Sequence, residues 1–135
     1  MKYRFELLKD EDFNQIETVA SLAEIDEAID YDCKFLVGRN GDNSILGFAG
    51  VNLYPRKYPQ FEHIVLHPKV KGSKLGYLLM MEMEKFLREK GYKVYVAYIL
   101  NTRNWMQELA LKFGFSPYAN DPDGVWMWKS VERKF

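Results

Sequence analysis

The sequence predicts a mixed α/β domain, one sheet with helices on both of its faces. Three observations predict it. Short alternating or β-branched apolar runs recur along the chain. Two longer stretches repeat apolar residues at helical spacing. Hairpin-linked strands come first and helix crossovers later, so the sheet mixes its pairings. At 135 residues, 47% of them apolar and 28% charged, the chain suits one domain spanning residues 1–135.

Tyr3, Phe5 and Leu7 alternate with Arg4 and Glu6, which reads as a first strand. Asp10 is placed to cap a helix on which Phe13, Ile16, Val19 or Ala20, and Ala23 share one face. A second short helix is expected over residues 22–29. Phe35 and Val37 mark the second strand, and Asn40-Gly41 signals a tight turn into a third strand over residues 45–54. Pro55-Arg56-Lys57-Tyr58-Pro59 reads as a connection, because neither proline can donate to a sheet ladder. The fourth strand covers residues 60–67 and stops at Pro68. Leu75, Leu78, Leu79, Met83, Phe86 and Leu87 form the stripe of a long helix ending at Gly91. Residues 94–99 are dense and β-rich, hence a buried strand. Trp105, Leu109, Lys112 and Phe113 mark a last helix closed by Gly114. Phe115 and residues 125–129, with a turn at 120–124, close the sheet.

Acidic and basic residues balance at 19 each. No global field favours nucleic acid or an anionic membrane as partner. No apolar run approaches a membrane span, and the alternating N-terminus lacks a signal-peptide core, so a cytoplasmic location is expected. Cys33 is the single cysteine, which excludes an internal disulfide and a multi-cysteine zinc site. His63 and His67 lie four residues apart on a strand, where they do not meet as they would on a helix, so no metal is expected.

The most informative stretch runs Ile64-Val65-Leu66-His67-Pro68-Lys69-Val70-Lys71-Gly72-Ser73-Lys74-Leu75-Gly76. A buried strand ends, a loop with two glycines follows, and a long helix begins. The first amides of a helix have no intrahelical acceptors, and the helix dipole adds positive potential there. Glycines let such amides approach an anion, and Lys69, Lys71 and Lys74 add charge. A solvated turn would also use these residues. The neighbouring strand and the later Gly114-Phe115 favour a phosphate or pyrophosphate site.

This segment resembles motif A of the GCN5-related N-acetyltransferases (GNAT), an apolar strand, Val-x-Pro, then Arg-Gly-x-Gly-x-Gly opening a helix. The matching residues are Leu66-His67-Pro68 and Lys71-Gly72-Ser73-Lys74-Leu75-Gly76. Leu109-Ala110-Leu111-Lys112-Phe113-Gly114-Phe115 resembles the family's Leu-Tyr-x-Lys-x-Gly-Phe, and the element order fits across nearly the whole chain. Lys71 stands where arginine or glutamine is usual, Lys74 replaces the central glycine, and Ala110 replaces the tyrosine that often protonates the leaving thiolate.

The resemblance implies a mostly antiparallel sheet of about six to seven strands. It implies transfer of an acetyl or similar acyl group from acetyl-CoA to a primary amine, of a small molecule or a protein, by direct attack. Leu66, His67, Lys71, Gly72, Ser73, Lys74, Leu75 and Gly76 would then hold the donor. The pantetheine would pair with the fourth strand, and the Leu66 amide would meet the thioester oxygen. Asn101 and Asn104 flank the position of a family asparagine that bonds pantetheine, although spacing from Gly114 lands on Arg103; helix capping is their other reading. Glu62 matches a frequent catalytic glutamate, and His63 is the other candidate base, with an ordinary pKa of ~6.5. Strict alternation would put Glu62, Ile64 and Leu66 on one face and Phe61, His63, Val65 and His67 on the other. His67 also reads as a residue that shapes the turn. Water, Tyr98 or Tyr118 are the remaining sources of the thiolate's proton. Tyr54, Tyr58 and Phe61 border the expected acceptor side, and Trp126 and Trp128 share a face that suits packing, a cleft or a subunit contact. A homodimer is compatible with the resemblance. A relative that binds acyl-CoA or a protein partner without turnover is the alternative, motivated by Lys74 and Ala110.

Overall fold

The computed structural model describes residues 2–25, 28–53 and 57–132. Seven strands form one sheet: β1 (Arg4–Leu7), β2 (Lys34–Arg39), β3 (Ile45–Asn52), β4 (Gln60–Leu66), β5 (Val94–Leu100), β6 (Ser116–Asn120) and β7 (Gly124–Ser130). Among the described residues three α-helices cover it: α1 (Phe13–Leu22), α2 (Leu75–Glu89) and α3 (Asn104–Phe113). Spatially the strands run β1-β2-β3-β4-β5-β7-β6. Every neighbouring pair is antiparallel except β4 and β5, which run parallel and pair only through Gln60↔Val96 and Phe61↔Ala97. No helix of the described residues is long and apolar enough to cross a membrane.

Two cores follow from the two faces. Leu75, Leu79, Met80, Met83 and Leu87 of α2 pack with Met106 and Ala110 of α3 against Leu36, Ala49, Ile64, Ala97 and Met127. Ile16 and Val19 of α1 pack with Cys33, Phe35, Val37, Phe48 and Val65 on the other face. Inside the first core Tyr95 is fully buried, and its hydroxyl donates to Glu84 at 3.0 Å. Trp126 is half-buried beside Tyr98, with ring centroids 4.9 Å apart, while Trp128 is exposed.

The elements expected from the sequence form, with four corrections. The helix over residues 22–29 does not: α1 ends at Leu22 and residues 23–25 and 28–30 are not helical. Glu24 has φ +54°, and the amides of Ala23, Glu24 and Ile25 turn back to the carbonyls of Val19, Ser21 and Ala20. That left-handed cap stops the helix. Asn40-Gly41 does open a tight turn, the Asn43 amide donating to the Asn40 carbonyl at 3.1 Å, but the connection is longer than the two-residue hairpin. The Asn40 side chain accepts from the amides of Asp42 and Ser44, and the left-handed residue is Asn43, so the loop covers five residues, 40–44. Asp12 rather than Asp10 binds the amide ahead of α1, accepting from Lys9 N–H at 3.0 Å. The third strand stops at Asn52, and Tyr54, Pro55 and Arg56 lie outside the described residues.

Asp12 also anchors a buried ion cluster. The Arg39 guanidinium, 3% exposed, meets Asp12 at 2.6 Å and Glu6 at 2.5 Å, and donates to the Asn43 carbonyl at 3.2 Å. This ties β1, the turn before α1 and the β2–β3 loop together. Both carboxyls titrate below their ordinary values. For Glu6 the Arg39 hydrogen bond is the main cause. For Asp12 burial pushes the other way, and hydrogen bonds from Arg39 and the Lys9 amide outweigh it. The stabilisation is therefore complete above the ordinary carboxylate pKa of about 4 and is lost as pH falls through the lower folded-state values. Asp12→Asn should cost about 3 kcal/mol at neutral pH, because it strips a buried guanidinium of a partner. It should also flatten the acid limb of stability. Urea unfolding at neutral pH and near pH ~3 checks both.

Candidate active site

The site is built on the edge of β4 that β5 abandons. The His67 amide donates to the Leu46 carbonyl at 2.7 Å. Antiparallel ladders alternate, so residues 63, 65 and 67 turn their main-chain groups toward β3, and residues 64 and 66 turn theirs the other way. There β5 has already separated, since its pairing with β4 ends at Phe61. The Ile64 carbonyl accordingly meets Arg103 Nη2 across the gap at 3.4 Å. Arg103 also lies over the Trp105 ring, 5.5 Å from its centroid. The Leu66 amide points into the gap with no strand opposite.

Beyond β4 the chain makes a 3-10 turn, Pro68–Val70, capped by His67, whose Nδ1 accepts from the Lys69 amide at 3.1 Å. His67 thus shapes the turn. The Lys71 amide donates to Pro68 and the Ser73 amide to Val70, while Ser73 Oγ accepts from the Leu75 amide at 3.2 Å. The Leu75 side chain is fully buried. Among the described residues, the amides of Gly72, Lys74, Gly76 and Tyr77 meet no acceptor. Gly72 has φ +83°, and a Cβ there would meet nothing within 4 Å. Free N–H groups just before and at the start of a 15-residue helix suit an anion.

Of these four residues Gly72 borders a cleft of about 760 Å³. Lys71, Gly72 and Leu66 form one wall, Arg103 and Trp105 the opposite wall, and the end of α1 a third. A smaller space of about 30 Å³ lies deeper between β4, β5 and α3, with Glu62, Tyr98 and Ala110 in its lining. That space is enough to hold at least one water molecule. Ile64, Leu100 and Arg103 border both spaces, so Arg103 stands between them.

The expected alternation of β4 fails at Glu62. Gly50 pairs with His63 but Val51 pairs with Phe61, leaving Glu62 as the extra residue of a bulge. Phe61 therefore joins Ile64 in the α2 core, while His63, 6% exposed, stays opposite and stacks on Phe35. The bulge turns Glu62 to the segment before β2. Cys33 Sγ donates to Glu62 Oε2 at 2.9 Å, and donor atoms of Asp30, Cys33 and Glu62 all lie within 4.8 Å of one another. His63 Nε2 accepts from the Asp30 amide at 3.0 Å. Burial pushes the Glu62 carboxyl above its ordinary value, and the adjoining Asp30 carboxyl pushes it further. The hydrogen bond with Glu62, followed by one from the Asp32 amide, holds Asp30 low.

Asp30, Cys33 and Arg103 are the site residues that sequence reasoning missed. The first two sit 32 and 29 positions before Glu62, and only the fold joins them. The register offset from Gly114 did point at Arg103. Asn101 accepts from Gln107 at 3.1 Å and donates to the Pro122 carbonyl at 3.3 Å; neither it nor Asn104 lines the cleft. The Tyr98 hydroxyl donates to Asp121 at 2.8 Å, and that bond raises it to about 12. Tyr118 is exposed on β6 and lines neither space. Burial, with Glu62 beside it, pushes the Cys33 thiol up, so it stays protonated. We expect an aromatic disulfide reagent to leave the native thiol largely unmodified and to titrate one thiol in denaturant.

Comparison with known proteins gives the family and the fold. Residues 2–115 match the acetyltransferase (GNAT) family, and the chain belongs to that family. No curated protein matches it by sequence. Among solved structures it is similar to the PaiA N-acetyltransferase of Thermoplasma acidophilum in complex with coenzyme A, with TM-score 0.82 and 19% identity over 96% of this chain and 99% of that one. It is similar to the ribosomal-protein-S18-alanine N-acetyltransferase of Escherichia coli, with TM-score 0.83 and 11% identity over 99% and 97%. It is also similar to YncA of Salmonella typhimurium with its cofactor acetyl-CoA, with TM-score 0.77 and 18% identity over 100% and 97%. At these identities the likeness is one of fold.

Proposed function

We propose that the protein is an acyl-CoA-dependent N-acetyltransferase that moves an acetyl or similar acyl group from acetyl-CoA to a primary amine by direct attack. The observation that carries this reading is the run of free amides at Gly72, Lys74 and Gly76, whose first member, Gly72, lines a cleft that continues along the unpaired edge of β4. Those amides suit a diphosphate, with Lys71 and Lys74 adding charge. The cleft suits an extended pantetheine, which would pair with Ile64 and Leu66 as an added strand does. To admit it, Arg103 must release the Ile64 carbonyl. The Leu66 amide is the donor for negative charge on the thioester oxygen.

Glu62 is the better base. It lines the inner cavity and its raised pKa suits proton abstraction, whereas the ring nitrogen His63 would need already accepts from Asp30. The leaving thiolate would take its proton from a water in the cavity beside Ala110, because the Tyr98 hydroxyl is committed to Asp121. A likeness of fold carries no acceptor over, so the acceptor here is proposed only as an amine. Calorimetric titration with acetyl-CoA, followed by thiol release across a panel of small amines, polyamines and peptide N-termini, tests the reading. We expect binding and turnover on at least one amine; binding without release on any of them would favour the non-catalytic alternative.

A further inference from the structure

We propose that Asp30 is a positioning residue for the reaction, its carboxyl group sharing a proton with Glu62 and holding it at the inner cavity. This rests on Glu62 being the base. Three observations carry it. The carboxyl oxygens of Asp30 and Glu62 and the sulfur of Cys33 lie within 4.8 Å of one another. Asp30 is itself fixed: its Oδ1 accepts from the Asp32 amide at 3.0 Å, its Oδ2 from Asn52 Nδ2 at 3.3 Å, and its amide is held by His63. Glu62 is the bulged residue of β4, so no regular ladder position holds its side chain. Asp30 and Cys33 do so instead.

Two carboxylates this close do not both ionise freely. When an acceptor ammonium loses its proton to Glu62, the new carboxyl O–H has Asp30 as its acceptor. The free amine then attacks the thioester carbon, the C–N bond forms and the C–S bond breaks, and the nitrogen's second proton passes through the cavity water to the departing thiolate. The thiol leaves, and the pair later returns its proton to water. Among the described residues, the other titratable or charged groups around Glu62 are Cys33 and, one residue away, Asp32 on the segment before β2, His63 on β4, Tyr98 on β5 and Arg103 before α3. Cys33 stays protonated and Tyr98 stays neutral through the working range, so Asp30 is the neighbour whose charge most directly opposes ionisation of Glu62.

The test is the pH profile of kcat/KM for wild type, Asp30→Asn, Asp30→Glu and Glu62→Gln. Asparagine removes the charge but can still donate a hydrogen bond to Glu62. We expect Asp30→Asn to move the acidic limb down by about one pH unit and to lower kcat roughly tenfold. Asp30→Glu should restore part of the shift. An unmoved limb in Asp30→Asn, with Glu62→Gln inactive, would overturn the proposal while leaving the base assignment intact; full activity in Glu62→Gln would remove both. Should Asp30→Asn fail to fold, carbon NMR of the side-chain carboxyls in the wild type decides. Two coupled steps shared by Asp30 and Glu62 support the pair, and a single independent Glu62 step at the ordinary glutamate value overturns it.

Discussion

Gly72→Glu should weaken acetyl-CoA binding by more than about 100-fold, a loss of roughly 2.7 kcal/mol or more. Two effects add. Gly72 has φ +83°, where any other residue is strained by roughly 1 kcal/mol. The new carboxylate would also stand beside the diphosphate. Two like charges about 4 Å apart near a protein surface repel by about 4 kcal/mol before salt screening. Gly72→Ala separates the terms, since it carries the strain without the charge and should lose only a few-fold. Gly76→Glu should also abolish binding, by another route. A Cβ at Gly76 would sit 3.5 Å from Leu109 Cδ2 and 3.6 Å from Leu66 Cδ1, so the side chain points into protein. A carboxylate there would force α2 away from β4, whereas alanine fits in ordinary contact. Calorimetry on the four variants, with circular dichroism as a folding control, reads out both routes.

Glu62→Gln should lower kcat by about 100- to 1,000-fold and leave acetyl-CoA affinity within a factor of two or so of wild type. Glutamine keeps the volume and can still accept from the Cys33 thiol, so the bulge should hold its shape. It cannot take a proton from an ammonium. The split between an unchanged dissociation constant and a collapsed kcat marks a residue acting on the acceptor rather than the donor. Steady-state kinetics on one amine, paired with calorimetry, checks it. A variant with full activity would remove Glu62 as base.

Much of the fold could be read from local pattern. The stripe from Leu75 to Leu87 predicted α2, the strand stop at Pro68 held, and Gly114, with φ +112°, closes α3 as expected. These features depend on neighbours within a few residues. The failures depend on distant residues or on local conformations that residue type does not signal. The face of Phe61 is set by its register against β3, and a single extra residue at Glu62 reverses it. The turn after Leu22 rests on Glu24 adopting a left-handed conformation that no glycine advertises. In the candidate site, the loop at residues 71–76 was legible because glycines, lysines and a helix start sit side by side. The surroundings of Glu62 were not, because Asp30 and Cys33 arrive from the far side of β2 and β3. Arg103 was obscured by its neighbours Asn101 and Asn104, whose residue type fitted better than their placement.

The most direct measurement is an amide proton–nitrogen NMR titration with coenzyme A. The account predicts large downfield shifts of the Gly72, Lys74 and Gly76 amide protons as they gain phosphate acceptors, with smaller changes at Lys71 and Ser73, whose amides are already bonded within the loop. Saturable binding of coenzyme A that leaves those three resonances in place would contradict it.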